Sequence, residues 1–508
     1  MQAIFDQGVA APCPRPFNMA AHVLRHADDL PEKVALSVIA LTGAESWTYA
    51  RLAAAVRGTG AGLLAAGFVP GDILLMRLGN MVDFPLAYLG AIAAGLVPVP
   101  TSSQLTAAEV AKMVAQLAPK GILRDPRVAC PDDTGLPVID TAALAGMRDL
   151  PPCDYAMGDP DRLGYIIYTS GTSGIPRAVM HAHRAIWARQ MMHQGWYGLG
   201  GDDPLLHAGA FNWTYTLGTG LMDPWSVGAT ALIPAEGVAM EDLPQLLADH
   251  KATIFAAAPG VYRKILSHHM KMELPALRHG LAAGEKLSDR VRIGWVAATG
   301  TPIYEAYGMS ECSTFISGSP AHPAAPGALG RPQDGRRVAI LGADGPVGLG
   351  EEGTIAVARS DPGLMLGYLG APEETAAKMQ GDWFLTGDQG MMDAAGQITY
   401  LGRADDMMNA GGYRVSPMEV EAALLAHPGI REVGVTDVEV KEDARIIAAF
   451  YVGDALDEAD LRAFAAGCLA RYKQPRVYVR LDALPSGANG KILRRALKPL
   501  YEARHGQA

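Results

Sequence analysis

From residue 48 onward the apolar positions recur at helical spacing, with Leu52, Val56, Leu63 and Leu64 forming a run that stops near Gly67. A mostly apolar stretch over 73–78, broken only by Arg77, then reads as a strand, and a second helical pattern covers 84–94. Repeated βα units of this kind predict a mostly parallel sheet covered on both faces. The pattern changes over 350–400, where short strand candidates such as 353–358 and 397–401 lie between Gly, Pro and Asp turns. That stretch predicts a β-rich subdomain. In the last hundred residues Ser416, Pro417 and Glu419 make an S-x-x-E capping box with proline at the first helical position, and the helix should run to the Pro428-Gly429 stop. Asp457 caps a second helix whose Leu461, Phe464, Ala465, Cys468 and Leu469 share a face, with strands expected over 445–452 and 476–481. The predicted fold class is α/β: a large N-terminal body of mostly parallel βα-layered sheets with a β-rich subdomain, followed by a small α+β C-terminal domain.

At roughly 150 residues per domain, the 508 residues predict about three structural units, or two if one is a large α/β body. A hydrophobic share of 49% against 19% charged supplies a substantial core and excludes a disordered chain. The net charge of -10 and the lack of any dense Lys/Arg block argue against nucleic acid as a partner, while leaving room for a small anionic ligand. Cys13, Cys130, Cys153, Cys312 and Cys468 are scattered and form no C-x-x-C pair, which points to a reducing compartment without structural zinc. The most apolar stretch, 87–98, is too short to span a bilayer, and no basic cluster precedes a long apolar run near residue 1. A cytoplasmic location without stable membrane insertion is expected.

The most informative segment is 165–180, in which Thr169, Ser170, Gly171, Thr172, Ser173 and Gly174 separate two β-rich runs. Small residues let backbone N–H groups converge on an anion, and four hydroxyls add donors, so the loop can wrap terminal phosphates. No Gly-Lys-Ser/Thr follows, and the flanks read strand to strand, which disfavours an ordinary P-loop. Taken alone, such a loop is also compatible with a solvated connector.

Its neighbours change that. The loop resembles the phosphate-binding motif of the adenylate-forming superfamily, which includes acyl-CoA synthetases, luciferase and the adenylation domains of peptide synthetases. Further motifs stand in the family's order. The segment 304–311 resembles Y-G-x-T-E, with Ser310 in place of the usual threonine. The resemblance implies that Tyr307 lies against adenine, Ser310 contacts the α-phosphate and Glu311 holds Mg2+, which suits a hard cation that seeks oxygen ligands. Gly284 and Glu285 sit in an A-G-E segment implied to line the adenine pocket, and Asp388, in Thr-Gly-Asp, is implied to hold the ribose hydroxyls together with Arg403. Gly411, Gly412 and Tyr413 resemble the glycine-rich turn that faces coenzyme A, and Lys491 stands in P-x-x-x-x-G-K-x-x-R, the pattern of the family's catalytic lysine. An ammonium held between the carboxylate and the α-phosphate can neutralise charge developing during in-line attack.

The chain departs from the family at Arg177, where lysine is usual; arginine keeps the charge and can grip phosphate bidentately. The acyl pocket is assigned to His207, Trp213 and Gly308. His207, Phe211 and Trp213 are all candidates for its shaping ring, and Trp213 is preferred because 217–221 resembles benzoate-CoA ligases and medium-chain acyl-CoA synthetases. The resemblance implies an enzyme that joins a small carboxylic acid to CoA with ATP and Mg2+, through an acyl-adenylate, releasing pyrophosphate and then AMP. It implies a body over 1–403, a hinge over 404–406 at Asp405, and a mobile C-terminal domain over 407–508. The alternatives are a stand-alone protein loading a carrier domain, a luciferase-like oxygenase, and a catalytically silent nucleotide-binding relative.

Overall fold

The computed structural model describes residues 1–169, 177–284, 287, 289–403, 408–410, 413–415, 417–441, 444–485 and 494–505. The predicted opening elements form as helix Tyr49–Ala65, strand Ile73–Arg77 and helix Asp83–Ala93. Thr48 caps the first helix by accepting from Arg51 N–H. Asp83–Ala93 is buried on every side, which explains its lack of a polar face. The two helices pack closely because Gly60 and Gly90 face each other; a Cβ on Gly60 would stand 2.8 Å from the Gly90 carbonyl oxygen.

Among the described residues the body contains two sheets built on parallel strands. Among the described residues the larger has nine strands, of which Ile303–Met309, His279–Ala283, Ile254–Ala257, Pro204–His207, Thr230–Pro234 and Val34–Ala40 run parallel in that spatial order. Antiparallel strands finish both edges, so the sheet is mixed rather than uniformly parallel. The smaller, all-parallel sheet orders Val97–Pro100, Ile73–Arg77, Gly121–Arg124 and Val138–Asp140.

The β-rich unit forms, but it is larger than the sequence suggested. Its antiparallel sheet includes Gly353–Ala358, Trp383–Met392 and Ile398–Arg403, begins with Arg337–Gly342, and recruits Ile4–Asp6 from the start of the chain. The C-terminal domain is built on the hairpin Ile430–Lys441 and Ala444–Gly453, with Val477–Arg480 added in parallel. Asp457 caps Glu458–Cys468 as expected, accepting from Ala459 N–H at 2.7 Å. The preceding helix, Pro417–Leu424, stops short of Pro428; Ser416 lies outside the described residues. One carboxylate oxygen of Glu419 accepts from Lys473 at 2.7 Å, a contact the local motif did not foretell. All five cysteines are free, and no described helix is long and apolar enough to cross a membrane.

Candidate active site

In open α/β sheets ligands gather beyond the carboxyl ends of the parallel strands. Here those ends carry His207, Ala257 and Ala283, and the adjoining strand Ile303–Met309 carries Tyr307 and Gly308. Gly284 follows with φ of +93°, a turn suited to glycine; Glu285 lies outside the described residues. A Cβ on Gly308 would stand 2.2 Å from the Ser313 carbonyl oxygen and 2.5 Å from Thr314 Cα. Close approach of the next strand therefore requires glycine at 308.

The Thr169 and Arg177 backbones pair across the antiparallel hairpin of Leu163–Thr169 and Arg177–Ala182, so the glycine- and hydroxyl-rich segment connects strand to strand as expected. Ser170, Gly171, Thr172, Ser173 and Gly174 themselves lie outside the described residues. Arg177 is paired with Glu374, on the helix Pro372–Ala377, a carboxylate that the sequence did not flag.

Tyr307, Asp388 and Arg403 come together. The Tyr307 hydroxyl donates to Asp388 Oδ2 at 2.5 Å, and strand register sets Arg403 opposite Asp388. Burial, reinforced by the Asp388 charge, pushes the Tyr307 phenol well above its ordinary value, so it stays a donor. Asp388 is itself fixed by its turn, its N–H donating to Thr386 Oγ1 at 3.0 Å.

Ser310 is exposed on the following turn, and its carbonyl accepts from buried His181 Nε2 at 2.7 Å. Glu311 is tied twice to one segment: its carbonyl accepts from Met365 N–H, and its Oε1 accepts from the Tyr368 hydroxyl, each at 2.8 Å. Among the described residues its Oε2 has no partner, and no group of three metal-ligating side chains occurs. A single free carboxylate oxygen fits Mg2+, which takes one or two carboxylates and completes its shell with phosphate and water. Just beyond, Ser313 has φ of +61° and accepts from Arg189, whose guanidinium pairs with buried Asp223 at 2.5 Å. This ion pair anchors the strained turn after Glu311.

His207 is fully buried, and its Nδ1 accepts from Gly209 N–H at 2.9 Å, leaving the proton on Nε2. Burial lowers its pKa to about 3, so the ring is neutral. Trp213 and Tyr215 pack edge-on to it, with centroids 5.9 and 4.5 Å away, whereas Phe211 is buried in the core of the body. His207 Nε2 and the Tyr215 hydroxyl have no hydrogen-bond partner among the described residues. Tyr215 and Tyr368 went unnoticed in the sequence, because a lone tyrosine beside a glycine or a tryptophan carries no spacing signal. Tyr413 does not present an open ring; it stacks on Tyr472 with centroids 4.0 Å apart. Asp405, Gly411, Gly412 and Lys491 lie outside the described residues.

The family model of AMP-binding enzymes matches residues 23–369, and that of the AMP-binding enzyme C-terminal domain matches 419–491. Benzoate–CoA ligase of Thauera aromatica is 30% identical, covering 93% of this chain and 95% of its own. O-succinylbenzoate CoA synthetase from Bacillus subtilis, solved with a product analogue, superposes with a TM-score of 0.85 at 24% identity over 96% of this chain and 98% of its own. ATP-bound MatB from Rhodopseudomonas palustris gives 0.71 at 26% identity over 96% and 99%. With two family models matched in order along the chain and a 30% identical relative covered over nearly its whole length, the chain belongs to the AMP-binding enzyme family, among its AMP-forming acid–thiol ligases.

Proposed function

We propose that the protein converts an aromatic carboxylic acid to its CoA thioester through an acyl-adenylate. The observation that carries this is the Tyr307–Asp388 pair with Arg403 in cross-strand register, beside Glu311 held by Tyr368. Tyr307 and Asp388 bind the nucleoside, and Ser310 and the 169–177 loop receive the phosphates. The substrate carboxylate attacks the α-phosphorus, the bond to the β-phosphate breaks, and pyrophosphate leaves. Lys491 neutralises charge in that step. The CoA thiol then attacks the acyl carbonyl, loses its proton to solvent and expels AMP. Glu311 would hold Mg2+, which would supply charge neutralisation. Activation as a mixed anhydride requires no enzyme nucleophile.

The His207, Trp213 and Tyr215 rings favour a flat acid, and the relatives' benzoate substrates support the same class. Their two unpartnered polar atoms further favour an acid with a hydrogen-bonding ring substituent, because burying a polar group without a partner costs free energy. ATP–pyrophosphate exchange across benzoate, 3-hydroxybenzoate, hexanoate and acetate tests the acid, and CoA-dependent AMP release tests the acceptor. Release of ADP and phosphate would overturn the mechanism. Exchange without CoA-dependent turnover would favour loading of a carrier protein instead. Lys491→Ala should lose exchange yet transfer a supplied acyl-adenylate to CoA, while Gly412→Trp should do the reverse as its ring obstructs the pantetheine arm. Equal loss of both steps in both variants would argue against two orientations about a hinge at Asp405.

A further inference from the structure

The C-terminal domain meets the body around one buried cation. Lys473 is 4% exposed; its Nζ lies 2.7 Å from Glu419 Oε1 in its own domain and 3.1 Å from Glu109 Oε1, on the body helix Ala107–Leu117. The other Glu109 oxygen accepts from Thr106 N–H at 2.9 Å in a complete capping box, so the carboxylate is held in place from its own side. Next to the lysine, fully buried Ala470 joins the body cluster of Leu105, Val110, Ile166 and Ala178, and Tyr472 packs against that cluster. Ile166 and Ala178 lie on the two strands that flank the phosphate loop.

The two carboxylates have different consequences. Glu419 travels with Lys473 and compensates its charge in any orientation of the domain. Glu109 belongs to the body, so its contact exists only while this face is docked. The docked face also carries Tyr413, which stacks on Tyr472, the neighbour of Lys473, and which directly follows in sequence the Gly411-Gly412 pair assigned to coenzyme A. Burial acts to lower the lysine pKa, but Tyr472, Glu419 and Glu109 together hold it above its ordinary value and keep the contact charged.

We propose that Lys473 and Glu109 form an interdomain latch that holds the C-terminal domain in the orientation for transfer to CoA. This makes Lys473 a positioning residue for the second half-reaction, an assignment that rests on the two-step function proposed above. A latch of this kind raises the fraction of enzyme competent to bind CoA, and apparent affinity scales with that fraction.

Glu109→Gln is the discriminating variant, since the amide oxygen can still serve the cap and the Lys473–Glu419 pair survives. ATP–pyrophosphate exchange should stay within about twofold of wild type, while the KM for CoA rises about tenfold, as expected for loss of one charge-assisted hydrogen bond. The transfer rate at saturating CoA should recover, because CoA draws the domain back. Lys473→Arg, which preserves both pairs, should retain a wild-type KM for CoA. Small-angle X-ray scattering without substrates reads the domain arrangement independently of catalysis, and the Glu109→Gln curve should depart from the docked wild-type curve. An unchanged KM for CoA, or equal loss of both half-reactions, overturns the latch, and so does a scattering curve identical to wild type. Failure of the wild type to exchange pyrophosphate with any acid would instead count against the proposed function, with scattering still deciding the latch.

Discussion

Replacing Tyr368 by Phe should weaken the use of Mg2+ without unfolding the protein. The ring is 6% exposed and packs in the cluster around Phe315, Leu364 and Met365, and all of that packing remains in the variant. The hydroxyl's 2.8 Å hydrogen bond to Glu311 Oε1 is lost. A hydrogen bond to a charged group contributes about 1.5–3 kcal/mol, and because Glu311 is only half-buried, water can replace part of it, so the low end applies. About 1.4 kcal/mol corresponds to tenfold in an equilibrium constant. Exchange measured against Mg2+ at fixed ATP should therefore show a half-saturating concentration raised about tenfold, with a thermal midpoint within a few degrees of wild type. A superimposable Mg2+ titration would refute the argument that Tyr368 orients Glu311.

Arg177→Ala should raise the KM for ATP while Arg177→Lys stays active, and Glu374→Gln should lower that KM by removing the carboxylate that competes with phosphate for the guanidinium. Unchanged ATP titrations in both the alanine and glutamine variants would contradict this. Tyr215→Phe should reduce kcat/KM for 3-hydroxybenzoate about tenfold more than for benzoate, the scale of one hydrogen bond; equal effects on the two acids would remove the polar-substituent proposal. Burial lowers the pKa of His181 to about 4 and that of His207 to about 3, so both contribute full stability above the unfolded value near 6.5. As pH falls below 6.5 the unfolded chain takes up protons that the native state refuses, and each ring should then cost roughly 1.4 kcal/mol per pH unit until its folded pKa is reached. Urea midpoints between pH 7.5 and 5 should fall accordingly, and less steeply in His181→Gln; an identical slope in that variant would argue against a buried neutral ring.

Local information carried far in this chain. The spacing of Leu52, Val56 and Leu63 specifies the helix Tyr49–Ala65, because burial on a helix repeats every three to four residues, and Asp457 specifies the cap of Glu458–Cys468 through a contact two residues away. The order of the nucleotide motifs is likewise a property of the sequence. What needed the tertiary structure is the choice of partners at long range. Nothing in Ile4–Asp6 foretells its pairing with Arg337–Gly342, and Glu419, legible as a capping-box carboxylate, also pairs with Lys473. Tyr368 reaches Glu311 across 57 positions and Lys473 reaches Glu109 across 364, contacts that exist because separate sheets and domains pack together. Periodicity determines which face of an element is apolar, but which other face it meets depends on how all elements together bury their surface and satisfy their polar groups, and that is decided only in the folded whole.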